Sequence, residues 1–89
     1  MEFSSDVTVV NKYGLHARPA AELVKLANRF GADLWIRKDD TEVSGKSIMG
    51  VMMLAAECGS TVHVRATGDD AEQAVGAVVD LIRNRFGEE

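Results

Sequence analysis

The residues best equipped for chemistry form one string, Gly14-Leu15-His16-Ala17-Arg18-Pro19-Ala20. A neutral imidazole is a nucleophile, and the guanidinium two residues on is a planar cation suited to phosphate oxygens. A helical pattern begins directly after His16, so the backbone N–H groups of Ala17 and its neighbours lack intrahelical partners. Those groups, with the positive end of the helix dipole, form an anion site. Pro19 falls in the first turn, where it removes no helical bond and fixes the backbone before any anion arrives. The chemistry this permits is a transient phosphohistidine on His16, with Arg18 and the Ala17 N–H as donors to the phosphoryl oxygens. A histidine ahead of a helix is more often a polar cap or a solvated loop residue. The whole string separates the two readings.

A second informative stretch follows Ser47, which is placed to cap a short helix reaching about Leu54. Ile48-Met49-Gly50-Val51-Met52-Met53-Leu54 offers this helix no polar face, so some of these side chains are expected at the surface. Methionines on an exposed patch suit a surface that docks several partners in turn. Arg18, Lys25 and Lys46 are expected to give that surface a basic rim, with Arg18 and Lys25 on one helix face.

The elements that must position these residues can be read from periodicity. Val7 to Val10 reads as a strand, and Asn11-Lys12-Tyr13-Gly14 as a turn. From Ala17 to Phe30 the period is helical, with Ala20, Leu23, Val24, Ala27 and Phe30 on one face and Gly31 as the stop. Arg18, Glu22, Lys25 and Arg29 lie on the opposite face. Asp33 to Arg37 alternates, with Trp35 opposite Leu34 and Ile36, and a turn at 38–41 leads into a short strand through Val43. Thr61 to Thr67 is the clearest strand, with His63 and Arg65 pointing outward. Asp69 and Glu72 form a capping-box pattern for a last helix that buries Ala71, Ala74, Val75, Val78, Ile82 and Phe86. Arg83 and Arg85 complement its negative end. The order is β-α-β-β-α-β-α, an α+β layer protein with an antiparallel sheet covered by helices on one face.

Composition narrows the function classes. A chain of 89 residues can build one core, so a single domain over residues 1–89 is expected. The longest apolar run, Ile48 to Ala56, is too short for a bilayer span, and no charged-then-apolar leader opens the chain. The only cysteine, Cys58, reads as an idle or buried thiol and excludes an internal disulfide, which points to a reducing cytosol. The net charge of −4 falls entirely in residues 47–89, so nucleic-acid binding is set aside. No metal-ligand spacing, Gly-rich phosphate loop or paired-carboxylate site is present, and no cofactor is expected. His63 has no ligand-spaced partner and reads as solvated.

The string GLHARPAAELV closely resembles the active-site segment of the HPr family, histidine-containing phosphocarriers of the bacterial phosphoenolpyruvate-dependent phosphotransferase system. GKSIMGVMMLAA resembles the regulatory-serine region of the same family, and length, element order and both positions agree. The resemblance implies an open-faced sandwich, a four-stranded antiparallel sheet with three helices on one face. It implies that His16 takes phosphate on Nδ1 from phosphorylated enzyme I and gives it to an enzyme IIA domain. On this reading the chain is a cytoplasmic, monomeric carrier acted on by partner enzymes, and not itself an enzyme. Ala20, Lys25, Lys46, Ile48, Met49 and Met52 become the partner contacts, with Val51 and Leu54 in the core. Ser47 becomes a phosphorylation site for an HPr kinase/phosphorylase where the host has one, beside its plain role as a cap. Two rivals stand next to sugar uptake: a paralogue in a nitrogen-related regulatory branch, and a corepressor-like binding module lacking the histidine. Retention of His16, Arg18 and Pro19 argues against the second.

Overall fold

The computed structural model describes residues 1–88. Its elements are β1 (Glu2–Thr8), α1 (Ala17–Ala27), β2 (Asp33–Lys38), β3 (Thr41–Ser44), α2 (Ile48–Met53), β4 (Thr61–Thr67) and α3 (Ala71–Arg83). A 3₁₀ turn over Arg85–Gly87 follows. The four strands form one antiparallel sheet in the order β1-β4-β2-β3, an open-faced sandwich with the three helices. Among the described residues, no helix is long and apolar enough to cross a membrane.

Alternation decides which face is covered. Val62, Val64 and Ala66 of β4 register against Val7 of β1 and against Ile36 and Leu34 of β2, and all six are buried. Leu23 and Ala27 of α1, Val51 of α2, and Val75, Val78 and Ile82 of α3 close the same cluster. Each fully buried Val, Leu or Ile contributes about 1.5–3 kcal/mol. The opposite face is polar. Trp35 lies there beneath the Arg65 guanidinium, 4.3 Å from the ring centroid, a cation–π contact flanked by ion pairs from Arg65 to Glu2 and Glu42. His63 is also on this face, but it is not simply solvated: its Nδ1 lies 2.6 Å from Asp6 Oδ1, the residue opposite it on β1.

Several boundaries differ from the sequence reading, each for a physical reason. β1 lies at Glu2–Thr8 and not at Val7–Val10. Its polar Ser4 and Asp6 fall on the uncovered face opposite Arg65 and His63, where an apolar search does not register them. Helix α1 stops at Ala27 because the Asn28 side chain takes the Val24 carbonyl at 3.0 Å and the next turn tightens to i→i−3 bonds. Gly31 is therefore not the stop, although Phe30 still packs half-buried on the core. The capping box at Asp69 does not form. Asp70 is the N-cap, without a side-chain cap bond, because its carboxylate accepts from Gly31 N at 3.0 Å and Ala32 N at 2.8 Å.

This tie between the end of α1 and the start of α3 has a pH signature. The Gly31 hydrogen bond holds the Asp70 carboxyl below its ordinary value of 3.8; burial opposes this, and the Ala32 hydrogen bond and the Lys46 charge assist it. A carboxylate depressed on folding stabilises fully above 3.8, and that contribution fades as pH falls through the lower folded value. Asp70→Asn is therefore expected to melt below the parent at neutral pH, the gap closing progressively below pH 3.8. Identical melting curves at pH 7 would contradict this.

The last correction matters most for function. Helix α3 ends at Arg83, so Arg85 and Phe86 lie beyond it, and Arg85, Phe86 and Gly87 all have positive φ, 57°, 55° and 74°. A left-handed non-glycine residue costs on the order of 1 kcal/mol. Phe86 is 4% exposed, and burying its ring offsets that cost by about 1.5–3 kcal/mol. The chain consequently hooks back across the start of α1.

Candidate functional site

His16 is the N-cap of α1, extended at φ −79° and ψ −172°, and its carbonyl accepts the first helical bond from Ala20 N at 2.9 Å. Its side chain caps nothing, so the imidazole is free for other work. The loop before it is held by its own backbone. Gly14 N donates to Asn11 O at 3.1 Å, Leu15 N to Ala56 O at 2.9 Å and His16 N to Gly14 O at 2.9 Å. Leu15 is buried and anchors the loop, while the exposed Tyr13 ring meets the imidazole edge-on with centroids 6.0 Å apart.

Four groups converge on one carboxylate. Glu88 Oε2 lies 3.0 Å from His16 Nε2, 3.1 Å from Arg18 Nε and 2.9 Å from Arg18 Nη2. Glu88 Oε1 accepts from Asn11 Nδ2 at 2.9 Å. Burial alone would raise the Glu88 carboxyl, but hydrogen bonds from Asn11 and Arg18, with the His16 and Arg18 charges, bring it below its ordinary 4.5. An ionised oxyanion is thus already seated beside His16 and Arg18, on donors from the Asn11 turn and from the start of α1.

Asn11 and Glu88 are the site residues that sequence reading missed. Asn11 is fully buried, the sole buried polar or charged residue among those described. Its amide also donates to Gly14 O at 2.8 Å, so both N–H groups are used, while Oδ1 is buried without a partner. Such an orphan costs about 1–3 kcal/mol. No local pattern announces either residue, since Asn11 and Glu88 are 77 positions apart.

The other expected residues divide. Arg18 is exposed at 54% and reaches the site, as its place opposite the apolar stripe of α1 requires. Ala20 is corrected: it is fully buried in that stripe and cannot touch a partner. Lys25 is exposed on α1. Lys46 is half-buried and its ammonium donates to the Phe30 carbonyl at 2.9 Å.

Ser47 caps α2, its Oγ accepting from Gly50 N at 3.0 Å. Ile48, Met49 and Met52 are exposed, Val51 and Leu54 are buried, and Met53, not singled out from sequence, is exposed at 74%. Met52 joins Tyr13, Leu15, His16, Ala55, Ala56 and Glu57 around a shallow cavity of about 270 Å³, which connects the apolar helix to the imidazole. Cys58 is exposed.

Residues 3–84 match the family model described as PTS HPr component phosphorylation site. The chain belongs to the HPr family. The phosphocarrier protein HPr of Cupriavidus necator is 49% identical over 83 residues, covering 93% of each chain. HPr of Pseudomonas aeruginosa is 45% identical over 84 residues, again covering 93% of each. Among solved structures, HPr-C-His from Thermoanaerobacter tengcongensis superposes with a TM-score of 0.94 at 47% identity, covering 98% of both chains. Crh, the Bacillus subtilis catabolite repression containing protein, matches with a TM-score of 0.76 at 42% identity, covering 89% of this chain and 91% of that one. As an HPr, the chain is a phosphocarrier of the phosphotransferase system. The family match ends at residue 84, so the hook that carries Glu88 lies beyond it.

Proposed function

We propose that His16 Nδ1 accepts a phosphoryl group from phosphorylated enzyme I and passes it to an enzyme IIA domain, serving sugar uptake in the cytoplasm. The observation that carries this is the placement of His16 as the N-cap of α1, its ring making no cap bond, with the Arg18 guanidinium beside it. A carrier must release what it takes, so it needs a modest anion site and not a deep one. One guanidinium and the unpaired N–H of Ala17 suit that requirement. Residues 1–89 act here as one monomeric carrier domain, and the partners supply most of the machinery. The test is sequential. Enzyme I and labelled phosphoenolpyruvate should load the chain, and an added IIA domain should unload it. Arg18→Ala should slow loading about tenfold or more, the scale of a lost charge-assisted hydrogen bond. Loading that no IIA domain reverses would overturn the relay.

Docking is assigned to the exposed Ile48, Met49 and Met52, with Arg18, Lys25 and the half-buried Lys46 as the basic rim. Ser47 sits at the start of this helix, where a kinase-borne phosphate would add roughly −1.5 to −2 charges beside a surface that partners must desolvate. Ser47→Asp should therefore fold normally yet accept phosphate much more slowly at limiting enzyme I. Ser47→Ala should lose about 1 kcal/mol of capping and transfer at a near-normal rate. Equal initial rates for Ser47→Asp and the parent would remove α2 from the docking surface.

A further inference from the structure

We propose that Glu88 is a positioning residue for phosphoryl transfer: it keeps the imidazole proton of His16 on Nε2 and leaves Nδ1 as the nucleophilic nitrogen. The inference rests on His16 being the phosphoacceptor and adds how its two nitrogens are told apart.

An ionised carboxylate only accepts hydrogen bonds. The ring nitrogen 3.0 Å from Glu88 Oε2 must then carry the proton, and in the neutral ring the lone pair falls to Nδ1. The carboxylate is itself held against movement. Arg18 takes Oε2 through Nε and Nη2, and Asn11 takes Oε1 through Nδ2. The Asn11 amide has one usable orientation, because both partners of its Nδ2, Gly14 O and Glu88 Oε1, are acceptors. Turning it over would set Oδ1 against two oxygens. Its buried, unpartnered Oδ1 is the consequence of aiming the amine at the carboxylate. Glu88 is only 14% exposed, and the left-handed backbone at Arg85, Phe86 and Gly87 delivers it to this spot.

The step balances without a proton leaving. The Nδ1 lone pair forms the new nitrogen–phosphorus bond, while the donor's bond to phosphorus breaks and its electron pair returns to the donor. The His16 ring becomes a phosphoimidazolium, whose positive charge faces Glu88 through Nε2–H. A carboxylate behind a nucleophilic system plays the same orienting part in hydrolytic triads, where it fixes the tautomer and stabilises the imidazolium. Arg18 Nη1 has no partner among the described residues and remains available to the phosphoryl oxygens.

The test reads regiochemistry without a protein partner and transfer rate with enzyme I. Full-length parent and Glu88→Ala are phosphorylated with phosphoramidate, a small donor, and followed by phosphorus NMR and by NMR of the imidazole nitrogens. The parent should show a protonated Nε2 before reaction and phosphate on Nδ1 alone after it. Glu88→Ala should relax the tautomer preference, yield phosphate on both nitrogens, and accept it from enzyme I about tenfold more slowly. Glu88→Gln, which keeps an acceptor without the charge, should restore the Nδ1 product but only part of the rate. Unchanged regiochemistry and rate in Glu88→Ala would overturn the positioning role alone. Faster acceptance would also overturn it, since the carboxylate would then be an obstruction. Absence of any phosphohistidine in the parent would overturn the phosphoacceptor reading itself.

Discussion

Replacing His16 with alanine is expected to abolish phosphoryl acceptance while leaving the protein folded. The side chain is 39% exposed and makes no cap bond, and the backbone carbonyl that starts α1 is retained in alanine. Glu88 loses one partner but keeps Arg18 and Asn11, so no buried charge is orphaned. The melting temperature should stay near the parent's, since surface changes of this kind fall within about 0.5 kcal/mol. With Ile48, Met49 and Met52 undisturbed, the variant should still compete with the parent for enzyme I. Thermal melts and a competition assay check both statements. Loss of competition would place the imidazole in docking as well as in chemistry.

Gly14→Ala is expected to damage stability and transfer together, a different signature from that of His16. Gly14 has φ +67°, and a Cβ there would overlap the Ala56 carbonyl oxygen and come within 2.9 Å of Glu57 Cα. The left-handed backbone costs an alanine about 1–2 kcal/mol. Overpacking against neighbouring backbone, which cannot rotate aside, adds about 1–3 kcal/mol. Relief requires the loop to lift, and the loop is tied by the Leu15–Ala56 and His16–Gly14 bonds directly after Gly14. His16 then moves off Glu88. Urea unfolding midpoints and initial loading rates should both fall, and a parent-like midpoint would contradict the close packing of Gly14 on Ala56.

What could be read in the sequence divides along a physical line. β4 is found at Thr61–Thr67 as expected because it is a central strand with one covered face, so alternation is written along it. The Ser47 cap follows from local helix geometry, whereas the split between exposed Met49 and buried Val51 rests on the family resemblance. Ala20 is instructive in the other direction. The helical stripe placed it beside Leu23 and Ala27 in the core, where it lies, whereas the partner role came from resemblance alone. Glu88 and Asn11 were out of reach because their meaning depends on a chain reversal at Arg85 and Phe86. That reversal is set by the burial of Phe86, and no glycine marks those two positions. The Asp6–His63 pair was hidden for a related reason, since it depends on strand register and not on spacing.

The most direct measurement of the central claim is the chemical stability and location of the label after loading with enzyme I and labelled phosphoenolpyruvate. The account predicts label on the peptide containing His16, lost in acid and kept in alkali, as phosphohistidine behaves. Label that survives acid, or full labelling of His16→Ala, would contradict it.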